Sequence, residues 1–246
     1  MSDIIVKAQN LSKRFYLRKS KKTFLRALSS LIKGSRVKDE LWVLKDISFE
    51  IKKGEKIAIV GKNGCGKTTL LRIVTGIYDK TAGELEVKEN PVCLFKFSVG
   101  SCGDLTVIDN IYLFGAVYGL GRSFLKNKID DILRMAEISH MAYSALKELS
   151  TGQQARFALS VFFQVKSDFL VFDESLVSVD QGFVEKCKVY FQNLNLSHKT
   201  VIMTSHDASF LKEQCRRALW IDQGRIRAFG EAKEVIAGYE RSFRSP

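Results

Sequence analysis

One short segment has the residue types and spacing needed to hold phosphate groups. Residues 61–69 read GKNGCGKTT, which matches the pattern GxxxxGK[ST]. Glycines let the backbone bend until several N–H groups converge on phosphate oxygens without a clash from a Cβ atom. We expect Lys67 to reach the β- and γ-phosphates of a nucleoside triphosphate and the Thr68 hydroxyl to bind Mg²⁺. The residues of this loop expected to contact the nucleotide are Gly61, Asn63, Gly64, Cys65, Gly66, Lys67, Thr68 and Thr69.

Two adjacent carboxylates, Asp173 and Glu174, follow the apolar run FLVF at 169–172. An acid at the C-terminal end of a parallel strand points into the crevice where ligands bind. Asp173 is suited to hold Mg²⁺ through water. Glu174 is placed to orient or deprotonate an attacking water, a role worth about 10²–10⁴ in rate. The alternative is a solvent-exposed pair of acids at a strand end.

A third feature is LSTGQ at residues 149–153, followed by an apolar-rich stretch at 155–163 that predicts a helix. Ser150 and Gly152 at the start of that helix would offer an anion a hydroxyl, an amide and the positive end of the helix dipole. A plain helix N-cap is the alternative interpretation of Ser150.

The apolar patterns predict the elements that position these residues. The β-rich run at 56–60 predicts a strand buried on both faces, and residues 70–74 predict a helix that ends at Gly76. Strand, glycine loop and helix are the context that the phosphate-binding pattern requires. Further strands are predicted at 168–173 and 200–203, and helical periodicity is found between about 91 and 147.

The composition excludes several classes of protein. With 246 residues, 46% hydrophobic and 27% charged, the chain is not collagen-like, disordered or a disulfide scaffold. One full α/β domain with a small subdomain is expected. No apolar run approaches the roughly 18–20 residues of a membrane helix, and the N-terminus lacks signal-peptide features. The five cysteines form no CxxC pair, which suits a reducing cytosol and argues against zinc.

The positive charge is concentrated near the N-terminus. The net charge is +12, and residues 12–38 contain ten Lys and Arg but no acid. Apolar residues at helical spacing within about 18–38 predict a short basic amphipathic helix. This segment is either a solvated insertion or an element attracted to an anionic membrane surface or to the acidic face of a membrane partner. Nucleic-acid binding is disfavoured, because stacking aromatics and a nucleic-acid motif are missing.

The order of phosphate loop, LSTGQ and acid strand resembles that of the ATP-binding cassette (ABC) ATPases over essentially the whole chain. The resemblance implies that the LSTGQ signature completes the γ-phosphate site of a second chain, so that two chains enclose two nucleotides head to tail. The site residues that it adds are Ser150, Gly152 and Gln153 of the signature, Asp180 at the dimer seam, His206 at the γ-phosphate, and Phe15 on adenine, with Tyr16 and Trp42 as rivals.

The sequence departs from the family pattern in several places. Thr151 stands where glycine is common, and Ser175 where proline is frequent. In the loop that usually carries a Mg²⁺-binding glutamine, the best-aligned residue is Cys102, a poor ligand for a hard cation, and Asp104 is a weak substitute. Cys65 either fills a variable position or is reactive, if the positive field of the loop lowers its pKa.

The resemblance implies an α/β fold: a RecA-like P-loop core, an N-terminal antiparallel β region and a helical subdomain. Residues 1–246 are expected to form one ABC ATPase domain. Residues of about 1–90 and 150–246 would form the nucleotide-binding core, about 91–149 the helical subdomain and about 18–40 the basic insertion.

The resemblance also implies an activity, hydrolysis of ATP with Mg²⁺, coupled to transport. The basic insertion, the missing glutamine and the sequence DESLVSVD at 173–180 look like the subfamily that exports cell-surface polysaccharides such as capsule, O-antigen or teichoic acid. The short segment after residue 244 favours capsule-type export. The resemblance implies that the chain forms a homodimer of cassettes and binds an integral membrane permease subunit. It places this assembly at the cytoplasmic face of the inner membrane. The alternatives are a lipid, drug or solute transporter, a non-hydrolysing regulatory cassette, and a soluble ABC protein acting on nucleic acid or ribosomes.

Overall fold

The structure is a computed structural model that describes residues 3–17, 39–94, 101–174, 180–196 and 198–243. The predicted basic helix at about 18–38 and the departure at Ser175 lie outside these residues. The strands of the described part are β1 (Ile4–Leu17), β2 (Asp39–Lys52), β3 (Lys56–Val60), β4 (Ala82–Val87), β5 (Val92–Leu94), β6 (Phe169–Asp173), β7 (Thr200–Thr204), β8 (Arg217–Asp222) and β9 (Arg225–Glu231). Its α-helices are α1 (Lys67–Val74), α2 (Val107–Val117), α3 (Arg122–Lys126), α4 (Ile129–Ala136), α5 (Thr151–Phe162), α6 (Gln181–Leu196), α7 (Ala208–Gln214) and α8 (Ala232–Arg241).

A six-stranded sheet with the order β5-β6-β7-β3-β8-β9 forms the centre of the fold. Its first five strands are parallel, and β9 runs antiparallel to β8. The strand before the phosphate loop, β3, therefore lies two positions from the acid strand β6, with β7 between them. Because the C-terminal ends of parallel strands meet at one edge, residues that follow β3, β6 and β7 come together there.

A smaller antiparallel sheet with the order β2-β1-β4 covers one side of the molecule. Helix α1 packs between this sheet and the large one, since its Leu70, Leu71 and Val74 share one apolar cluster with β1, β2 and the large sheet. The predicted α/β core with an N-terminal antiparallel β region is confirmed.

The central strands are buried on both faces, as parallel strands between two layers must be. In β3, Ile57 and Ile59 face the cluster that contains α1, whereas Ala58 and Val60 face a second cluster on the other side. That second cluster is built from helices α2 to α8 and contains a chain of aromatic rings around Phe191. These two layers fix the direction of the strand ends that carry the site.

Helices α2 to α5 follow β5, which itself pairs with β6 in the large sheet. The segment expected over about 91–149 therefore contributes one strand to the core before its helices begin. The side chain of Thr106 caps α2 by accepting from the amide of Asp109. Within the described residues, no helix has both the length and the apolar character needed to cross a bilayer.

Candidate functional site

The phosphate loop connects β3 to α1 in a backbone conformation that only glycine adopts easily. Gly66, just before α1, has φ +113°, and a Cβ atom there would lie 2.6 Å from Leu44 Cδ2. At Gly61 a Cβ atom would clash with the carbonyl oxygen of Ile221. Gly64 and Asn63, with Lys62, form the exposed crest of the loop. The loop is therefore packed from behind by β2 and β8 and open in front.

Lys67 is buried, and its ammonium group bends back over the loop. Its Nζ atom donates to the carbonyl of Gly61 at 2.8 Å and approaches that of Lys62 at 3.4 Å. Thr68 and Thr69, which are half-buried, occupy the first turn of α1. The first amides of a helix have no partner within it, so this end of α1 presents N–H groups and a positive dipole to an anion.

The acid strand ends in a hydrogen-bonded unit with β7. The Thr204 hydroxyl donates to Asp173 Oδ1 at 2.9 Å and accepts from the amide of Glu174 at 2.9 Å. Glu174 has φ +51°, a left-handed conformation that non-glycine residues adopt when their surroundings fix them. Thr204 thus holds the Asp173 carboxylate and the backbone of Glu174.

Three of the predicted catalytic residues converge at this edge of the sheet. Glu174 Oε1 lies 3.9 Å from Lys67 Nζ and 3.4 Å from His206 Nε2. The Lys67 side chain is 10% exposed, but those of Glu174 and His206 are 38% and 53% exposed. A carboxylate between a buried ammonium and an exposed imidazole, in contact with solvent, is placed to meet both a phosphate and a water.

The residues present fit a magnesium ion. Mg²⁺ is commonly held by one or two carboxylates together with phosphate oxygens and waters. Asp173 and Thr68 offer such hard oxygen donors, and Asp173 is oriented by Thr204. No three His, Cys, Asp or Glu side chains cluster into a metal site in the described ranges, so most of the ligands would come from phosphate and water.

The LSTGQ signature forms the N-terminus of α5, as predicted. Ser150 accepts from the amide of Gln153, and Gln153 Oε1 accepts from the amide of Ser150, which makes a complete capping box. Ser150 is exposed and Gly152 is half-buried. Within the described part of the chain, the signature makes no hydrogen bond to its own phosphate loop. Its anion-binding end is thus available to another molecule.

Asp180 has contacts within its own chain that the sequence does not reveal. Its carboxylate caps α6 by accepting from the amide of Phe183 at 3.0 Å, which is the main reason why its pKa lies below the ordinary value. Its other oxygen lies 3.3 Å from Arg156 Nη1. A role for Asp180 at a dimer seam stays a prediction.

The candidate adenine-stacking residues lie on β1 and β2. The Phe15 ring is half-buried and meets Tyr78 edge-on, with centroids 5.6 Å apart. Tyr16 and Trp42 are more exposed, and the Arg14 guanidinium lies within 5.4 Å of both ring centroids. The assignment of Phe15 over its rivals stays a prediction.

The structure distinguishes the two interpretations of Cys65 and shows the contacts of Cys102 and Asp104. Burial raises the pKa of Cys65 and outweighs the opposing effect of Lys67, so the structure favours the interpretation that Cys65 fills a variable position over the reactive alternative. Cys102 is held through its backbone, whose amide donates to Asn110 Oδ1 at 2.7 Å and whose carbonyl accepts from Asn110 Nδ2. Asp104 pairs with Lys147 on the surface, at 2.8 Å, and not with another site residue.

Sequence reasoning missed Thr204 and Arg156 as positioning residues. A polar residue at the end of an otherwise apolar strand, two residues before His206, is a signal that could have identified Thr204. Arg156 lies on the otherwise apolar-rich α5, where a half-buried cation needs an acidic partner. Neither signal identifies the residue that Thr204 or Arg156 contacts, because those residues are distant in sequence.

Comparison with known proteins agrees with this geometry. The family model described as "ABC transporter" matches residues 44–177. The teichoic acids export ATP-binding protein TagH of Lactococcus lactis subsp. lactis is 33% identical over 96% of this chain and 50% of its own length. The O-antigen export system ATP-binding protein RfbB of Myxococcus xanthus is 30% identical over 89% of this chain and 51% of its own length. The chain thus spans about half the length of these relatives.

A solved structure gives the fold independently. A dimeric ATP-binding cassette in a post-hydrolysis state, bound to ADP and phosphate, superposes with a TM-score of 0.72 at 21% identity. The match covers 92% of this chain and 98% of that chain. The fold is thus that of a cassette ATPase domain. The matched family model, which spans the phosphate loop, the signature and the acid strand, shows that the chain belongs to the ABC transporter family.

Proposed function

We propose that the chain binds ATP at the edge formed by β3, β6 and β7 and hydrolyses it to ADP and phosphate. The observation that carries this proposal is that Lys67 Nζ and His206 Nε2 both approach the same carboxylate oxygen of Glu174. The N-terminus of α1 and the Lys67 ammonium would hold the phosphates. Phe15, or Tyr16 or Trp42 in its place, would stack on adenine.

Each residue near the γ-phosphate has a distinct proposed role. Glu174 orients the attacking water and accepts its proton, while His206 contacts the γ-phosphate. Mg²⁺, held by Thr68 and Asp173, would neutralise charge on the phosphate oxygens. Lys67 must release its bonds to the Gly61 and Lys62 carbonyls in order to reach a phosphate.

We propose that the site is completed by a second copy of the chain. The signature, with an exposed Ser150 and half-buried Gly152 and Gln153, supports this, because it offers a helix N-terminus that no group of its own phosphate loop uses. Asp180 would lie at the same seam. ATP would then hold two chains together, and its hydrolysis would release them.

Substitution of the proposed base tests both steps. Glu174→Gln should retain ATP binding, accumulate an ATP-dependent dimer on size exclusion, and lose phosphate release. The matched control is Glu84→Gln, because Glu84 is exposed on β4, the edge strand of the smaller sheet, which does not carry the site. Phosphate release at the normal rate by Glu174→Gln would exclude Glu174 as the base.

The transport role is proposed from the relatives. Those proteins are named for export of teichoic acids and O-antigen, which supports a cell-surface polysaccharide or teichoic acid polymer as the cargo. The partner would be an integral membrane permease, and the chain would act at the cytoplasmic face of the membrane. A strain lacking the chain should lose the surface polymer. Expression of the intact chain should restore it, but expression of Glu174→Gln should not.

We also propose that residues of about 18–38 bind an anionic membrane surface, on the basis of their charge in the sequence. The chain should co-sediment with vesicles containing an anionic phospholipid, but not with neutral ones. A variant without residues 18–38 that sediments equally well would contradict this.

A further inference from the structure

Helix α8 packs against β8, beside the phosphate loop, and the proposed reaction does not use it. Tyr239, which is half-buried on α8, meets the Trp220 ring edge-on, with centroids 5.8 Å apart. Trp220 lies on β8 and pairs with Val60, the last residue of β3 before the loop. Burial is the main cause of the raised pKa of Tyr239, and the nearby Cys65 of the loop adds to it. Helix α8 therefore lies close to the segment expected to hold the phosphates.

Phe243 follows α8 and is fixed by the end of that helix. Its amide donates to the carbonyl of Glu240 at 3.2 Å, and its ring meets the Tyr239 ring edge-on, with centroids 4.9 Å apart. Glu240 is itself anchored by Lys212 of α7, whose Nζ atom lies 2.6 Å from Glu240 Oε2. Because its backbone and its ring both have partners, Phe243 has a defined position although it is 56% exposed.

The Phe243 ring reaches a residue of the phosphate loop. Lys62 Nζ lies 5.3 Å from the ring centroid, within the distance of about 6 Å over which a cation is attracted to an aromatic face. The carbonyl of Lys62 accepts from the amide of Cys65 at 3.2 Å and lies 3.4 Å from Lys67 Nζ. Lys62 thus connects a ring outside the loop to the turn that shapes the loop and to the lysine expected to bind the phosphates.

We propose that Phe243 is a positioning residue that holds the crest of the phosphate loop through Lys62 and thereby sets the affinity of the site for ATP. This inference rests on the proposed function. A loop held in its binding shape beforehand loses less conformational freedom when the ligand arrives. The loop contacts the phosphates both before and during hydrolysis, so the ring should act on KM and not on kcat. Glu174 and His206, the groups proposed for the chemical step, follow other strands, β6 and β7.

The test separates nucleotide affinity from turnover. The affinity for a fluorescent ATP analogue, the KM for ATP and kcat are measured for the wild type, Phe243→Ala, Phe243→Leu and Phe243→Tyr. Tyrosine keeps an aromatic face for Lys62, whereas leucine keeps only the apolar volume. The control is Val189→Ala, because Val189 is an apolar side chain on α6 that is 57% exposed.

The expected effect is confined to affinity. Phe243→Ala and Phe243→Leu should weaken analogue binding and raise KM about 2–5-fold, the range given by a cation–π contact at an exposed site, with kcat unchanged. Phe243→Tyr and Val189→Ala should match the wild type. Urea unfolding of each variant verifies that it is folded under the conditions of the assay.

A double-mutant cycle tests whether the effect passes through Lys62. Phe243→Ala is combined with Lys62→Ala, and the analogue affinities of the wild type, the two single variants and the double variant are compared. If the ring acts on the ammonium of Lys62, Phe243→Ala should cause no further loss of affinity once that side chain has been removed.

Three results would overturn the inference. The first is a Phe243→Ala protein with the same analogue affinity as Phe243→Tyr. The second is a loss of kcat at unchanged affinity, because the ring would then act on the chemical step. The third is an equal loss of affinity on Phe243→Ala with and without the Lys62 side chain, because the ring would then act through another residue. Failure of the wild-type chain to bind the analogue would refute the proposed function, and the inference with it.

Discussion

Replacement of Thr204 by valine removes a single hydroxyl that holds both acids of the site. The two side chains have nearly the same shape, so the substitution leaves the volume of the strand unchanged. It leaves Asp173 Oδ1 and the amide of Glu174 without the partner that each has at 2.9 Å. Since Thr204 is only 3% exposed, water cannot take the place of the hydroxyl from its side of the strand.

The expected loss of stability follows from the two hydrogen bonds that the substitution removes. A hydrogen bond to a charged group contributes about 1.5–3 kcal/mol and a neutral one about 0.5–1.5 kcal/mol. Glu174 and Asp173 retain some contact with solvent, which reduces both values. We expect the free energy of unfolding to fall by about 2 kcal/mol, or roughly 4–8 °C in Tm for a chain of this size. Without its anchor the Glu174 carboxylate moves, and a displacement of about 1 Å costs about 10²-fold in rate.

Urea unfolding gives the stability change, and steady-state phosphate release gives the change in kcat. Thr204→Ser is the matched control, because it keeps the hydroxyl and should retain most of the rate. The affinity for an ATP analogue should change little, since the phosphate loop is untouched. A Thr204→Val protein with wild-type kcat would refute the argument that this hydroxyl positions the acids.

Three further outcomes follow from other features. Ser150→Ala should lower the free energy of unfolding by about 1 kcal/mol through loss of the α5 cap, and Thr106→Ala should do the same at α2. Only Ser150→Ala should also reduce ATP hydrolysis at least 10-fold. Equal activities of the two variants would contradict a role of Ser150 in the partner's site. Burial lowers the pKa of Lys56 to about 8, so above that pH the unfolded state binds more protons and the free energy of unfolding rises with pH. Lys56→Met should remove on the order of 1 kcal/mol of this rise between about pH 7.5 and 9.5. Parallel pH profiles of urea unfolding for the two proteins would refute this. Because burial raises the pKa of Cys65, iodoacetamide should modify it at least 10-fold more slowly than a free thiol at about pH 7.5, without protection by ATP; fast labelling would contradict this.

The elements of the core could be predicted because their signals are local. The strand at 56–60 is a continuous apolar run before a glycine loop, and the sequence LSTGQ carries its own capping box in Ser150 and Gln153. Periodicity and capping depend on residues within a few positions of each other. The same holds for Lys67 at the start of α1 and for Glu174 directly after β6.

The contacts between elements could not be predicted, because they depend on which strands are neighbours. The bond between Thr204 and Asp173 exists only because β7 lies beside β6, and the bond between Arg156 and Asp180 only because α5 packs next to the start of α6. The sequence left open whether the charge of the loop lowers the pKa of Cys65, because the opposing effect, burial, is a property of the whole fold.

The strand order has a consequence for synthesis on the ribosome. The two strands that pair with β3 are β7 and β8, which lie within residues 200–222. Strand β3 itself, at residues 56–60, is synthesised much earlier. A nascent chain that has emerged only as far as α6 therefore carries the complete phosphate-binding sequence on a strand with no bonded neighbour. Such long-range pairing is slow to form. The phosphate loop therefore reaches its native geometry only after β7 and β8 have been synthesised and can pair with β3.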